Sequence, residues 1–246
     1  EIAPGVVYRR FVRREPLQTV HVVRVDLRTP GLALVQSKAE ADGSFRAQTP
    51  SAFLRAGGLV VAINGDFFTP WAARGPWAYY PYGGDPVGLL GRRARIVDRR
   101  EKAVSLRHTT FYFDDRGRAV GFRRPEGPCQ ELHGLPLIEA GSSRVERTPY
   151  LLHPRSALGL DADKRWLTLV AIDGRQPGHS AGASLRQLAA LLLAEGVHDA
   201  LLLDGGGSTA LVARVGGEVR LLNRPIHARV VGWERPVANV FGVTLR

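Results

Sequence analysis

The sequence predicts an α+β fold: a strand-rich single domain over residues 1–246, with a central mixed β-sheet and few flanking helices. Three observations carry that reading. Twenty-eight Gly and 16 Pro in 246 residues would break the helices of a bundle or coiled coil. Several apolar runs have the length of buried strands, and one segment alone combines helical periodicity with a cap at each end. No repeat, low-complexity tract or flexible linker divides the chain.

The elements follow in order. Thr19–Leu27 (TVHVVRVDL) alternates with period two, and Thr29, Pro30 and Gly31 turn the chain into a second β-rich run at Leu32–Ser37, a pattern that suggests a hairpin. Gly58–Asn64 (GLVVAIN) is continuously apolar and reads as a buried strand. Phe68–Pro86 mixes Trp71, Trp77, Tyr79, Tyr80 and Tyr82 with Gly and Pro, which predicts a long irregular loop with exposed rings. Short strands at Phe111–Phe113 and Arg118–Phe122 are joined by the turn formers Asp114 to Gly117. Trp166–Asp173 (WLTLVAID) is another buried strand. The helix begins at Ser184: Ser184 and Gln187 form a capping box, Leu185, Leu188, Ala189, Leu192 and Leu193 share a face, and Gly196 ends it. Ala200–Leu203 is then a strand, Asp204–Ser208 a glycine-rich turn, Thr209–Val215 and Glu218–Leu222 a hairpin around Gly216 and Gly217, and Val237–Leu245 a closing strand.

Composition narrows the function classes. The longest apolar runs, such as Ala189–Ala194, are far shorter than the roughly 20 residues that a membrane-spanning helix needs. The single cysteine, Cys129, cannot form an internal disulfide. A net charge of +11 invites a nucleic-acid reading, yet the charge comes from 31 Arg and only Lys38, Lys102 and Lys164, spread from Arg9 to Arg246 without a basic helix or RNP motif. An Arg-biased surface suited to ion pairs and to an acidic substrate is the expected meaning, with no nucleic-acid partner. Methionine is absent, which predicts a leader or anchor segment ahead of Glu1.

Three strands end in polar turns, and strand ends that converge make a cleft. DGGGS (Asp204, Gly205, Gly206, Gly207, Ser208) closes the run ALLL. Its glycines permit positive φ and let backbone N–H groups approach a phosphate or sugar hydroxyl. No Gly-Lys-Ser/Thr follows it and no GxGxxG opens a helix there, so it is not a nucleotide loop. AINGDFF places Asn64, a donor and acceptor, beside Asp66, an acceptor or acid/base, on the Gly65 turn. Asp173 and Gly174 lead into Gln176, His179 and Ser180, with His179 a candidate acid/base. No HExxH and no tight His/Cys set exists, so zinc is not expected. No cofactor is required by this pattern; a divalent cation shared by Asp66, Asp173 and Asp204 is the one it leaves open.

INGDFF, HPRSALGLD (His153–Asp161), VAIDGR, HSAGASLRQLAALLLAEGVHDALLLDGGGST, Asn223 with Pro225, and RPVANVFGV (Arg235–Val243) together resemble the phosphodiester glycosidase domain family. The resemblance runs in order from about Gly5 to the C terminus, with little signal in the first 55 residues. It implies a hydrolase that cuts between a sugar's anomeric carbon and a phosphodiester, acting on cell-envelope or exopolysaccharide glycans in an extracytoplasmic, bacterial setting. The leaving group would be a phosphate monoester whose second pKa is about 6, so charge complementarity matters more than a general acid. Arg155 and the glycine-turn N–H groups would supply it. The resemblance assigns Asp204 and Asp173 to the carboxylate pool, Asn64 and Asn239 to substrate hydrogen bonds, and Ser208 or Thr209 to phosphate or sugar hydroxyls. The alternative is a carbohydrate-binding module without turnover, suggested by the aromatic run Trp71–Tyr82 and the basic surface.

Overall fold

The computed structural model describes residues 1–69, 93–96, 109–114 and 116–246. Two antiparallel sheets pack face to face, and a helix covers the outer face of each. The larger sheet runs, in spatial order, Val6–Arg14, Leu17–Asp26, Trp166–Ile172, Arg155–Leu160, Asp199–Leu202, Cys129–Glu139, Thr109–Asp114 and Ala119–Gly121. The smaller runs Glu218–Leu221, Leu211–Val215, Val61–Asn64, Val240–Leu245 and Leu32–Gln36.

Two-sided cover explains why the predicted strands look continuously apolar. In Leu17–Asp26, Val23 and Val25 enter the layer between the sheets while Val20 and Val22 face the helix Leu185–Ala194. Leu167, Leu169 and Ala171 alternate in the same way with Val170 and Ile172, and Leu201 with Ala200 and Leu202. In the smaller sheet Val61 and Ile63 point inward, and Ala62 packs on the side of Leu54 from the helix Pro50–Gly57. With no face left to water, the polar half of the usual alternation has no place.

The helix Leu185–Ala194 carries the predicted capping box, in which Ser184 Oγ accepts from the Gln187 amide and the Gln187 side chain accepts from the Ser184 amide. The predicted hairpin at Gly216 and Gly217 is present, with φ of 60° and 83° at those residues. Positive φ at both central positions is the requirement of a two-residue hairpin turn.

Three expectations change. Strand content is 48% against 10% helix, so the chain is mostly β and the α+β label holds only roughly. The sheets are not mixed, since every pairing among the described residues is antiparallel. The runs Thr19–Leu27 and Leu32–Ser37 do not form a hairpin: the Thr29–Gly31 turn hands the chain from the larger sheet to the smaller, where Leu32–Gln36 pairs with Val240–Leu245. The true hairpin partner of Leu17–Asp26 is Val6–Arg14, paired along its whole length. The aromatic run Trp71–Tyr82 lies outside the described residues.

The antiparallel order also sets where chemistry can gather. Ile172 pairs with both Val20 and Arg155, and Leu202 with Ala157. The ends of Trp166–Ile172 and Asp199–Leu202 therefore lie beside the starts of Leu17–Asp26 and Arg155–Leu160, all at one end of the sheet.

Candidate active site

Asn64 stitches its own turn to the Asp204 turn, and the Asp173 turn reaches the same region through Arg175 beside Gly206. Its Nδ2 donates to the Asp204 carbonyl at 2.7 Å, and its Oδ1 accepts from Ser156 Oγ at 2.7 Å and from the Ala210 amide at 3.2 Å. The Asp204 amide donates to the Gly65 carbonyl at 3.0 Å, and the Gly206 amide to the Pro154 carbonyl at 2.9 Å. Asn64 thus spends its hydrogen-bonding capacity joining the smaller sheet to the larger, at full burial.

Asp173 is the most heavily bonded carboxylate of the cleft. Its Oδ2 lies 2.8 Å from His179 Nε2 and 3.2 Å from His21 Nε2, while Oδ1 accepts from the Arg224 amide at 2.8 Å and from Asn223 Nδ2 at 3.1 Å. Burial pushes the Asp173 pKa up, but the bonds from His21, His179 and Arg224 outweigh it and hold the carboxyl below its ordinary value. A carboxylate can only accept, so both imidazoles carry their proton on Nε2. His21 Nδ1 is then an acceptor for the Tyr8 hydroxyl at 2.8 Å, and His179 Nδ1 has no hydrogen-bond partner among the described residues.

His179 lines a cavity of about 660 Å³ together with His153, Arg175, Arg224, Arg229 and Arg235. No Asp or Glu is among its described lining residues. Arg235 is buried; its Nε donates to His227 Nδ1 at 3.1 Å and its Nη1 to Ser208 Oγ at 3.2 Å. Burial lowers its pKa, opposed by the Asp204 charge and reinforced by Arg175. Burial, with Arg175 and Arg155 nearby, also lowers the His153 pKa. Gln176 adds an acceptor: its Nε2 donates to the Arg224 carbonyl at 2.8 Å, while its buried Oε1 has no partner among the described residues.

The glycine turn serves this cavity differently from the expectation. The amides of Gly205, Gly206, Ser208 and Thr209 bond to Asp204 Oδ1, Pro154, Gly205 and Gly206 respectively, rather than facing outward. The missing side chains make room for cations instead. A Cβ on Gly207 would lie 2.7 Å from Arg235 Nη2, and one on Gly206, where φ is +61°, 3.1 Å from Arg175 Nη2. Ser208 is buried under Arg235, and the buried Thr209 Oγ1 has no partner among the described residues.

Other sequence candidates stand apart from the cavity. Arg155 donates to the carbonyls of Ala183 at 2.9 Å and Leu151 at 3.0 Å, and burial beside Arg175 brings its pKa down to about 10. It is not among the described residues that line the cavity. Asp66 is buried on the flank toward Cys129–Glu139, where Oδ1 accepts from the His133 amide at 2.9 Å and Oδ2 lies 3.3 Å from His133 Nδ1. Asn239 Oδ1 accepts from the Asp66 amide at 2.8 Å, and its buried Nδ2 has no partner among the described residues. Here burial dominates and the Asp66 pKa is raised; the Asp66 bond raises that of His133. No group of three or more His, Cys, Asp or Glu side chains suited to a metal occurs among the described residues, so Asp66, Asp173 and Asp204 do not form the shared cation site left open above.

A sequence profile described as phosphodiester glycosidase matches residues 57–244. The chain belongs to the phosphodiester glycosidase family. No curated protein matches it in sequence. Among solved structures it is similar to the catalytic domain of zebrafish N-acetylglucosamine-1-phosphodiester alpha-N-acetylglucosaminidase, auto-inhibited by its pro-peptide (19% identity, TM-score 0.63, covering 98% of this chain and 82% of that one). It is also similar to a hypothetical protein from Synechocystis (18%, 0.59, covering 99% and 63%). A third is a Burkholderia pseudomallei protein named as exported (17%, 0.53, covering 93% and 74%). At these identities the likeness is one of fold.

The glycosidase match covers the whole cavity lining and all three aspartate turns, and leaves out Tyr8 and His21. Sequence reading missed those two and the cavity arginines. Arg175 directly follows Asp173-Gly174 and Arg224 follows Asn223, but in a chain with 31 Arg neither stood out. His21 was legible only as a polar residue interrupting an apolar strand.

Proposed function

We propose that this phosphodiester glycosidase hydrolyses the bond between a sugar's anomeric carbon and a phosphodiester, on cell-envelope or exopolysaccharide glycans outside the cytoplasm. The observation that carries the reading is the cavity lined by Arg175, Arg224, Arg229, Arg235 and the Asp173-held His179. Family membership supports the reaction class. Likeness to a protein named as exported supports the setting, and no helix among the described residues is long and apolar enough to cross a membrane.

In this mechanism water attacks the anomeric carbon and passes its proton to His179 Nδ1, while Asp173 stabilises the imidazolium through Nε2–H. The bond from the anomeric carbon to the phosphate oxygen breaks, and its electron pair leaves with the phosphate. The products are the free sugar and a phosphate monoester. The monoester gains its second negative charge as it departs, and the guanidinium groups stabilise that charge where it develops. Asp204, beside the Gly205–Gly207 turn, faces the positive charge that grows on the sugar ring.

The test is release of N-acetylglucosamine from its 1-(methyl phosphate) by the wild-type chain, by Asp204→Asn and by Arg235→Met. Each replacement is expected to lower kcat by about 100-fold or more. Unchanged turnover in both overturns the assignment. Sugar-phosphate binding without any turnover in the wild type favours the glycan-binding module instead.

A further inference from the structure

The arginine-lined cavity has a second character. Leu152, Pro177, Ile226, Ala228 and Val231 line it alongside the cations. Two exposed apolar lips continue that lining to the outside. Tyr150 and Leu151, 54% and 55% exposed, directly precede Leu152 and His153. On the other side Val230, Val231 and Trp233, exposed at 40%, 40% and 49%, belong to the segment that carries Ala228, Arg229 and Arg235. Only Val7, Val12, Leu193 and Leu221 complete the set of exposed large apolar side chains among the described residues, and they sit on other elements. Singly exposed apolar residues need no explanation, whereas a cluster around a charged cavity marks a binding surface.

The lip beside Trp233 is also held in an uncommon conformation. Ile226–His227 and Val230–Val231 form a hairpin whose two turn residues, Ala228 and Arg229, have φ of 50° and 65°. Gly or Asn normally fills such positions, and strained backbone of this kind persists where the surroundings over-determine it. The turn brings Arg229 to the cavity and leaves Val230 and Val231 partly exposed at its edge.

We infer that the phosphodiester received here is amphiphilic: its phosphate sits among the arginines and its non-sugar substituent is a hydrocarbon chain that lies on the Val230, Val231 and Trp233 lip. This rests on the proposed reaction, since it assigns the departing half of the substrate. The reaction balances as before, with water adding to the sugar and an alkyl phosphate leaving. Charge complementarity fixes the phosphate end, and the apolar lip, continuous with the lining, fixes the chain end. Full burial of each methylene multiplies affinity by about fourfold, and a half-exposed lip captures part of that.

The experiment is calorimetric titration of methyl phosphate, decyl phosphate below its micellar concentration, and decanol. The wild type is compared with Val230→Ser/Trp233→Ser, whose altered residues lie outside the cavity lining. Decyl phosphate is expected to bind at least about 10-fold more tightly than methyl phosphate. In the double variant the gap falls below about threefold while methyl phosphate affinity is kept, which also shows that the variant is folded. Equal wild-type affinities for the two phosphates, an undiminished gap in the variant, or decanol binding as tightly as decyl phosphate each overturns the inference. So does adhesion to phosphatidylglycerol vesicles with no chain-length preference among free phosphates. The two readings fail separately. A chain-length gap without hydrolysis of any sugar phosphodiester supports the amphiphilic site and removes the proposed reaction. Hydrolysis with equal KM for methyl and decyl phosphodiesters keeps the reaction and removes the chain.

Discussion

Asp173 and Asp66 are both buried aspartates, both placed just beyond a strand, and both bonded to histidine, yet their ionisation is driven in opposite directions. Asp173 receives four donors from three separate stretches of chain: His21, His179, and the Asn223–Arg224 pair. Asp66 receives the amide and a longer ring contact from His133, with a weaker contribution from the Asn239 side chain. Burial penalises both charges, but at Asp173 the donors outweigh it and at Asp66 they do not. The balance between burial and donors sets the direction in which each carboxyl is driven. That distinction assigns Asp173 to holding an imidazole beside the cavity and Asp66 to closing the far flank.

The largest expected effect is that of Asp173→Asn. An amide in that place turns two or more donors against its own NH2 group, so urea unfolding is expected to show a loss of about 3 kcal/mol or more, together with loss of sugar release. Asp66→Asn keeps an acceptor for the His133 amide and is expected to cost less than about 1 kcal/mol. Equal costs would break the contrast.

His21→Leu comes next, at about 1–2 kcal/mol. It removes one donor from Asp173 without touching the cavity lining. As a positioning residue, His21 is expected to change kcat with little change in KM, and its loss to shorten the acid limb of the stability profile by bringing the folded Asp173 value up toward the unfolded one.

The smallest effects are slopes against pH. Asp173 binds its proton more weakly folded than unfolded, so its stabilisation is complete above about pH 4, the unfolded value, and is lost as pH falls through the lower folded value. Asp66 and His133 bind theirs more tightly when folded. Their contributions are lost as pH rises from the unfolded values, about 4 and about 6.5, through the raised folded ones. Each proton changes stability by at most about 1.4 kcal/mol per pH unit. Urea midpoints between pH 3 and 9 should lose part of their acid slope in Asp173→Asn, the rest coming from Asp26, Asp42 and Asp114, and part of their decline toward alkaline pH in His133→Gln.

Local signals made part of this legible in advance. Ser184 with Gln187, and Gly216 with Gly217, announce a helix start and a hairpin because cap and turn chemistry acts over three or four residues. The same locality exposed Asp66, Asp173 and Asp204 as strand-end polar groups. What sequence could not supply was partnership across the fold. Val6–Arg14 exposes one face rich in Arg and so lacks an apolar signature, although it carries Tyr8 to His21. Arg235 reaches Ser208 across 27 positions and Asn64 reaches Ser156 across 92. Nothing in the chemistry of an isolated Arg or Asn distinguishes such a role from a surface one.

Asn64 carries a kinetic consequence. Its three bonds tie the end of Val61–Asn64 in the smaller sheet to Ser156 and Asp204 of the larger and to Ala210 at the start of Leu211–Val215. The candidate cleft therefore comes into being with the docking of the two sheets, a step of long sequence separation that closes slowly. Hairpins and the capped helix form earlier and carry no such linkage. In a refolding experiment, enzymatic activity should lag the recovery of far-ultraviolet circular dichroism and return together with the burial of Phe111, Phe113 and Phe241 between the sheets. Activity would then serve as a clock for the last step of assembly.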